Sequence, residues 1–297
     1  MSEKRTAYIA IVGRPNVGKS TLMNTLLGEK VAIVSNKPQT TRNRIIGILT
    51  QGDDQYVFLD TPGIFKPRNA LGEYMVKTAD ATMGDADVVI LMADAAGRIT
   101  SVEEGVIENV KKGGIPCILA LNKVDLVDAE TVAKTLTLYA ERHEFDAYVP
   151  LCAKSGRGSE ALLEECEKFL FPSEWLFPED MMTDQPMRQV AAEIIREKIL
   201  RTTDKEIPHG VAVVIEEYKQ EDGLTRIRAE IFCEKESHKG IIVGKGGEGL
   251  KRIGSYARAD LEKMLGNKVY LNLWVKVKEN WRDSARAVGN FGYQDEE

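Results

Sequence analysis

Apolar residues along this chain follow two rhythms, and the change comes near the middle. In the first half, short apolar-rich runs recur at residues 7–12 (AYIAIV), 55–59 (QYVFL), 88–93 (VVILMA), 115–121 (IPCILAL) and 148–151 (YVPL). Runs this short, without alternation, predict strands buried on both faces. Residues 21–27 and the other intervening segments supply helices, so an α/β domain is expected: a mostly parallel sheet with helices on both faces. In the second half, Val190, Ile194, Ile195 and Ile199 share one face of a helix over residues 188–201. Residues 211–217 predict a strand. In residues 226–234, Ile227, Ala229, Ile231 and Cys233 alternate with Arg226, Arg228, Glu230 and Phe232, a half-buried strand, and Asp222-Gly223 turns the chain before it. Residues 250–265 predict a helix with Leu250, Ile253, Ala257, Leu261 and Met264 facing inward. Val269, Leu271, Leu273, Val275 and Val277 then alternate towards a core. Between the halves lies FPSEWLFPEDMMTDQPM, with three prolines. The expected organisation is a domain over residues 1–171, a linker over 172–187 and an α+β domain over 188–297.

At 297 residues and 43% hydrophobic, the chain suits two domains with cores of their own. No apolar run approaches the roughly 18 residues of a membrane-spanning helix. The first six residues are polar and charged, unlike a secretory signal, so a cytoplasmic protein is expected. Cys117, Cys152, Cys166 and Cys233 stand far apart with no CxxC pair, which argues against a disulfide framework or a zinc site. His143, His209 and His238 are equally scattered. The net charge of −6 divides unevenly: 20 basic and 27 acidic residues precede Arg188, against 20 and 19 from there on. Residues 240–286 hold 10 basic and 5 acidic residues, a local excess that points to a polyanionic partner.

The chemistry of the first half starts where its first strand ends. Gly13-Arg14-Pro15-Asn16-Val17-Gly18-Lys19-Ser20 matches GxxxxGK[ST] between a strand and a helix that opens at Thr21, the context of a phosphate-binding loop. Glycines let successive N–H groups face phosphate oxygens, and the helix start adds partial positive charge. Lys19 neutralises the β- and γ-phosphates, and the Ser20 hydroxyl can ligate Mg²⁺. Asp60-Thr61-Pro62-Gly63 ends another strand: Asp60 suits a water-mediated Mg²⁺ contact, and the Gly63 N–H can approach a γ-phosphate. Residues 35–44 (SNKPQTTRNR) form a polar loop in which Thr41, or alternatively Thr40, can complete Mg²⁺ coordination. Asn122-Lys123-Val124-Asp125 sets base identity. A carboxylate at Asp125 can accept from guanine N1–H and N2–H₂, whereas adenine would leave it unpaired. Cys152-Ala153-Lys154, at the last strand end, offers the Ala153 N–H to guanine O6 and the Lys154 stem to the ring.

In the second half, residues 244–247 spell Gly244-Lys245-Gly246-Gly247, a GxxG between two helices of a helix–strand–strand–helix–helix–strand unit. Such a loop lets a nucleic-acid backbone come close, while a helix N-terminus and Lys245 meet phosphates. Lys251, Arg252 and Arg258 lie off the inward face of the following helix and extend the basic surface. The third glycine, Gly246, is expected to loosen the loop, and the acidic Asp295-Glu296-Glu297 end to be disordered.

The spellings GRPNVGKS, PQTTR, DTPG and NKVD, followed by FPEDMMTDQ, AEIIREKILR and LWVKVKENW, resemble the Era family of translation-factor-like GTPases over nearly the whole chain. The resemblance implies an α/β P-loop GTPase domain followed by a type II KH domain. It implies GTP hydrolysis to GDP and phosphate, with Ser20, Thr41 and Asp60 at Mg²⁺ and with Lys19, Asn16, Thr41 and Gly63 in the catalytic set. It further implies binding of the KH domain to the 3′ end of 16S ribosomal RNA in 30S subunit assembly, by a monomer. Ras-like enzymes place a glutamine after DxxG to orient water; here Ile64 stands there, so slow turnover resting on P-loop and Mg²⁺ electrostatics is expected. Related GTPases with an asparagine at the Asn16 position use K⁺ to offset phosphate charge, and Asn16 is expected to do the same. Two other functions fit parts of the pattern: an RNA scaffold for which nucleotide is structural, and a regulator making weak peripheral contact with the inner face of the cell membrane through Lys251, Arg252 and Arg258.

Overall fold

The computed structural model describes residues 3–204 and 207–293; Asp295, Glu296 and Glu297 lie outside them. The chain divides into two compact units, one of Met1–Val34, Thr41–Pro67 and Met75–Asp184, the other of Ser35–Thr40, Arg68–Tyr74 and Gln185–Glu297.

In chain order the first elements are β1 (Arg5–Val12), α1 (Lys19–Leu27), β2 (Ile45–Gln51), β3 (Asp54–Asp60), α2 (Ala70–Gly84) and β4 (Val88–Asp94). There follow α3 (Ser101–Gly113), β5 (Cys117–Asn122), α4 (Ala129–Ala140), β6 (Ala147–Pro150), α5 (Ser159–Glu167) and β7 (Phe171–Pro172). The sheet runs β2-β3-β1-β4-β5-β6, with β7 pairing on β1. The pairs β3–β1, β1–β4, β4–β5 and β5–β6 are parallel, while β2 and β7 are antiparallel to their partners. The apolar runs are unbroken because both faces are covered. Ile9, Ile11, Phe58, Ile90 and Met92 pack with Leu22 and Met23 of α1 and Leu162 of α5. Their neighbours Ala10, Val12, Val89, Leu91 and Leu119 pack with Val106 and Val110 of α3 and Tyr139 of α4. Parallel pairing brings the C-terminal ends of β1, β3, β4, β5 and β6 to one edge, and β1 lies between β3 and β4, where the order reverses. That crevice is the ligand position of open α/β sheets.

The proline-rich segment is not a free linker in its first part. Trp175 Nε1 donates to the Asp53 carbonyl at 3.0 Å, and the Leu176 and Phe177 N–H groups both donate to Gln55 Oε1 at 3.0 Å. The Ile48 N–H donates to the Met182 carbonyl at 2.9 Å. Gln55 is fully buried, so its carboxamide needs partners, and the extended segment supplies them.

The second unit comprises α6 (Met187–Thr202), β8 (Ala212–Glu221), β9 (Leu224–Cys233), α7 (Glu236–Val243), α8 (Glu248–Leu265), β10 (Lys268–Val277) and α9 (Ala285–Asn290). Its sheet order is β10-β9-β8, with β10 parallel and β8 antiparallel to β9. Ile194, Ile195, Ile231, Ile253, Ala257 and Leu261 meet in one core. Met264 does not face inward as its spacing suggests: it is 38% exposed, and Leu265 packs on the core in its place. Lys198, nearly buried, bridges Glu197 at 2.9 Å and Asp260 on α8, which ties α6 to α8.

Candidate functional site

The phosphate loop follows β1, and its shape depends on close approaches. Gly18 sits at φ +112°, and a Cβ there would lie 2.3 Å from Asn122 Nδ2. A Cβ at Gly63 would lie 2.8 Å from the Pro15 backbone. The loop thus fits against both the DxxG and the NKxD segments only with glycine at these two places. Lys19, the first residue of α1, is nearly buried, and its ammonium donates to the Gly13 carbonyl at 3.2 Å and the Arg14 carbonyl at 3.4 Å. Burial pushes that ammonium below the ordinary lysine value, with Asp60 opposing.

Beside it, three oxygens converge. Ser20 Oγ donates to Asp60 Oδ2 at 2.6 Å and lies 2.8 Å from Thr41 Oγ1, which in turn donates to Asp60 Oδ2 at 3.4 Å. Asp60 is fully buried, and its Oδ1 has no hydrogen-bond partner. Burial pushes its carboxyl up to about 6, against the pull of Lys19 and the hydroxyl bonds. Two hydroxyls and a buried carboxylate with a spare oxygen suit a hard divalent cation. Mg²⁺ would be held by Ser20, Thr41 and Asp60, and when bound it would neutralise charge on the β- and γ-phosphates. The structure brings Thr41 to this cluster; Thr40 Oγ1 donates instead to the Lys37 carbonyl at 2.7 Å, closing a local turn. Asn16 is exposed at φ +63°, and Thr21 follows Ser20 as the third residue of α1. Ile64, the residue after DxxG, packs against the core on the α3–α4 side and carries no group that could hydrogen-bond a water.

Asn122 ties the base turn to the loop. Its Nδ2 donates to the Val17 carbonyl at 2.7 Å, and its Oδ1 accepts from the Ala153 N–H at 2.9 Å. The Ala153 N–H, expected at guanine O6, is therefore engaged by Asn122 in this structure, because a buried amide oxygen needs a donor. Asp125 lies exposed in a short 3-10 turn after Lys123, and Lys154 is exposed beside buried Cys152 and Ala153. The sequence reading missed two participants, Asp94 at the end of β4 and Glu103 on α3. Asp94 Oδ2 accepts from Lys123 Nζ at 2.8 Å, and fully buried Glu103 stands 3.5 Å from Arg14 Nε. A signal was present: Asp94 ends an apolar strand as Asp60 and Asn122 do.

The second unit builds a groove of about 450 Å³ between α8 and β10, lined by Gly247, Leu250, Lys251, Gly254, Arg258 and Tyr270 among others. Successive residues Tyr270, Leu271, Asn272 and Leu273 all line it. Neighbouring strand residues point to opposite faces, so the groove meets the edge of β10, where unpaired backbone N–H and C=O groups await partners. The loop at its end folds into a turn. Gly246 adopts φ +61°, which closes a turn with the Gly247 N–H donating to the Gly244 carbonyl at 3.1 Å, and Gly247 starts α8 at φ +86°. Lys245 sits within this turn, at the positive end of the α8 dipole. Arg252 is exposed but does not line the groove, since it is turned about 100° from Lys251 around the helix.

A strand–phosphate loop–helix with a guanine-reading turn, followed by a GxxG groove on a three-stranded sheet, defines a GTPase joined to a KH-type RNA-binding module. The model of the 50S ribosome-binding GTPase family matches residues 8–123, and that of the KH domain matches residues 206–282. Over 98% of its length the chain is 47% identical to GTPase Era of Alkaliphilus metalliredigens, of which 99% is covered. It is 48% identical, with the same coverage, to GTPase Era of Clostridium novyi. Two crystal structures superpose with a TM-score of 0.94. One is an Era in complex with MgGDPNP and nucleotides 1506–1542 of 16S ribosomal RNA, 42% identical and covered to 99% by 98% of this chain. The other is an Aquifex aeolicus Era variant bound to GDP·AlF4⁻, 43% identical and covered to 99% by 97% of this chain. The chain belongs to the GTPase Era family and hydrolyses GTP to GDP and phosphate.

Proposed function

We propose that this GTPase binds the 3′ end of 16S ribosomal RNA through its KH groove, acts in assembly of the 30S subunit, and uses its nucleotide state to set when the RNA is held. The observation that carries the reading is the groove itself: a GxxG turn at a helix N-terminus, Lys251 and Arg258 on one wall and a free strand edge on the other. Single-stranded bases can pair along such an edge while their phosphates meet the loop. The match over nearly the full length to an Era crystallised with a 16S fragment supports the choice of RNA. The same groove favours RNA over anionic lipid, which would need no edge strand. A cytoplasmic monomer is the form in which we expect it to act.

Catalysis rests on charge. Lys19 and the loop N–H groups hold the γ-phosphate, Gly63 lets the backbone approach it, and nothing at position 64 orients water, so basal turnover is slow. Asn16 is the candidate for a K⁺ contact; unequal turnover in K⁺ and Na⁺ buffers is expected. Support for coupling comes from the path of the chain: Ser35–Thr40 belongs to the second unit and Thr41, the next residue, to the first. Within the second unit, Arg196, on α6 and nearly buried, donates to the Thr40 carbonyl, and Lys37 pairs with Asp204 at 2.6 Å. A γ-phosphate that draws on Thr41 thereby pulls on a segment held by the RNA-binding unit. RNA must then change nucleotide affinity in return. The test is GTP turnover with a short RNA matching the 16S 3′ end. Acceleration by that RNA and not by a scrambled one is expected, whereas equal RNA affinity in GTP, GDP and empty forms would refute the coupling.

A further inference from the structure

Besides Asn122, a second set of contacts joins the phosphate loop to the guanine turn. Arg14, the second residue of the loop, stands with Nε 3.5 Å from Glu103 Oε1 and Nη2 4.0 Å from Asp94 Oδ2. The same Asp94 oxygen accepts from Lys123 Nζ at 2.8 Å, while Asp94 Oδ1 accepts from the Ala96 N–H at 3.0 Å. Glu103 divides its oxygens too: Oε2 accepts from the Thr100 N–H at 2.7 Å to cap α3, which leaves Oε1 facing Arg14. One carboxylate, fixed by the main chain at the end of β4 and in register with Asn122 on β5, therefore holds a cation from each of the two motifs that grip the nucleotide.

These are not solvated surface pairs. Glu103 is fully buried, and the side chains of Asp94, Arg14 and Lys123 are 18%, 28% and 33% exposed. Partial burial pushes the Asp94 carboxyl up, yet the Lys123 hydrogen bond, then the Ala96 N–H and the charges of Lys123 and, least, Arg14 outweigh it and leave the group below the usual carboxylate value. The seat for Arg14 is shaped as well: a Cβ on Gly97 would lie 2.5 Å from Arg14 Nη2. With its ammonium anchored at Asp94, the Lys123 stem loses its rotamer freedom before any ligand arrives, so the base need not freeze it.

We infer that Asp94 is a positioning residue: together with Glu103 it braces Arg14 and Lys123, so that phosphate loop and base turn form one preorganised nucleotide seat whose residence time it sets. The inference rests on the GTPase reading and deepens it. Both Asp94 oxygens are engaged by protein groups, Oδ1 by the Ala96 N–H and Oδ2 by Lys123 and Arg14, so its loss should raise KM with little change in kcat, the mark of an interaction equal in ground and transition states.

The test uses the full-length chain, with release of a ribose-labelled fluorescent GDP measured by chase and with steady-state GTP kinetics. Asp94→Asn removes the charge but keeps the shape. It is expected to speed GDP release and raise KM each by roughly tenfold while kcat changes less than about twofold. Arg14→Met on top of it should add less than it does in the unmodified chain, because the two changes share the Arg14–Asp94 contact. Gly97→Ala, whose methyl crowds both the Arg14 guanidinium and the Asp94 carbonyl and leaves every charge in place, should speed release by about threefold. Release and KM within about twofold of the unmodified chain in Asp94→Asn would overturn the inference, as would kcat and kcat/KM falling together, or the effects of Asp94→Asn and Arg14→Met multiplying. If Asp94→Asn fails to fold, Gly97→Ala decides alone, and unchanged release there overturns it. A wild-type chain that bound no labelled GDP would instead sink the GTPase reading.

Discussion

The two binding sites of this chain solve the same problem, holding phosphates, by opposite means. In the nucleotide site the groups around the phosphates and at the start of the guanine turn are buried and wired to one another: Lys19 to the loop carbonyls, Asp60 to Ser20 and Thr41, Asn122 to Val17 and Ala153. In the groove of the second unit the cations Lys251 and Arg258 are exposed, and the specific elements are backbone: a turn of glycines and a strand edge. Buried, mutually bonded side chains fix the shape of the site before a ligand arrives. An open basic groove gives reach and tolerance, because phosphates look alike.

The largest expected break in that contrast is Lys19→Ala. Removing a buried cation aimed at the phosphates should cost turnover on the order of 10³-fold, while RNA retention on a filter, measured without nucleotide, stays within about twofold of the unmodified chain, since the groove is built from another unit. Loss of RNA binding in the same variant would mean that the two sites are not separately constructed. Next in size is Asp125→Asn. Its amide donates where guanine also donates, so GTP affinity should fall on the order of 10²-fold. Xanthine carries a carbonyl at position 2, and XTP affinity should rise. Competition of both nucleotides against labelled GDP checks this, and parallel losses for the two would remove Asp125 from base reading.

How much of this was legible in the sequence follows the same division. Where chemistry is carried by contiguous residues at a strand end, as in residues 13–20 or 122–125, the order of types was enough, because the sheet brings strand ends together by topology alone. Asp94 and Glu103 escaped because they act across the sheet edge on Arg14, a pairing that no spacing encodes. The choice of Thr41 over Thr40 needed the packing that buries Thr41. In the second unit the alternation told core from surface along β10 but not that β10 is an edge strand, since pairing order is a long-range property. The turn at Gly246 was hidden for a related reason. A glycine reads as loose until its left-handed φ is seen to close a turn.

A smaller effect separates loop from charge within the groove. Lys245→Asp with Gly246→Asp places two carboxylates in the turn that phosphates must approach, and RNA affinity should fall roughly 30-fold. GDP affinity measured on the same preparation is the control. A parallel loss there would make the double change a folding defect rather than a loss of phosphate contact.

The finest prediction concerns salt, and it tests the contrast where it is most exposed to error. If Lys245, Lys251 and Arg258 each meet one phosphate of a single strand, log K for RNA should fall against log salt with a slope of about −2, at about −0.7 per contact. Lys251→Ala should bring the slope to about −1.4 and weaken binding alike for matched and scrambled RNA, because a phosphate contact carries no sequence information. GDP affinity should not follow that line. Its phosphate cation, Lys19, is nearly buried and bonded to loop carbonyls, where ionic screening reaches poorly. An unchanged RNA slope in Lys251→Ala would take that residue off the phosphate path, and the groove would then have to hold RNA chiefly through bases lying along the edge of β10.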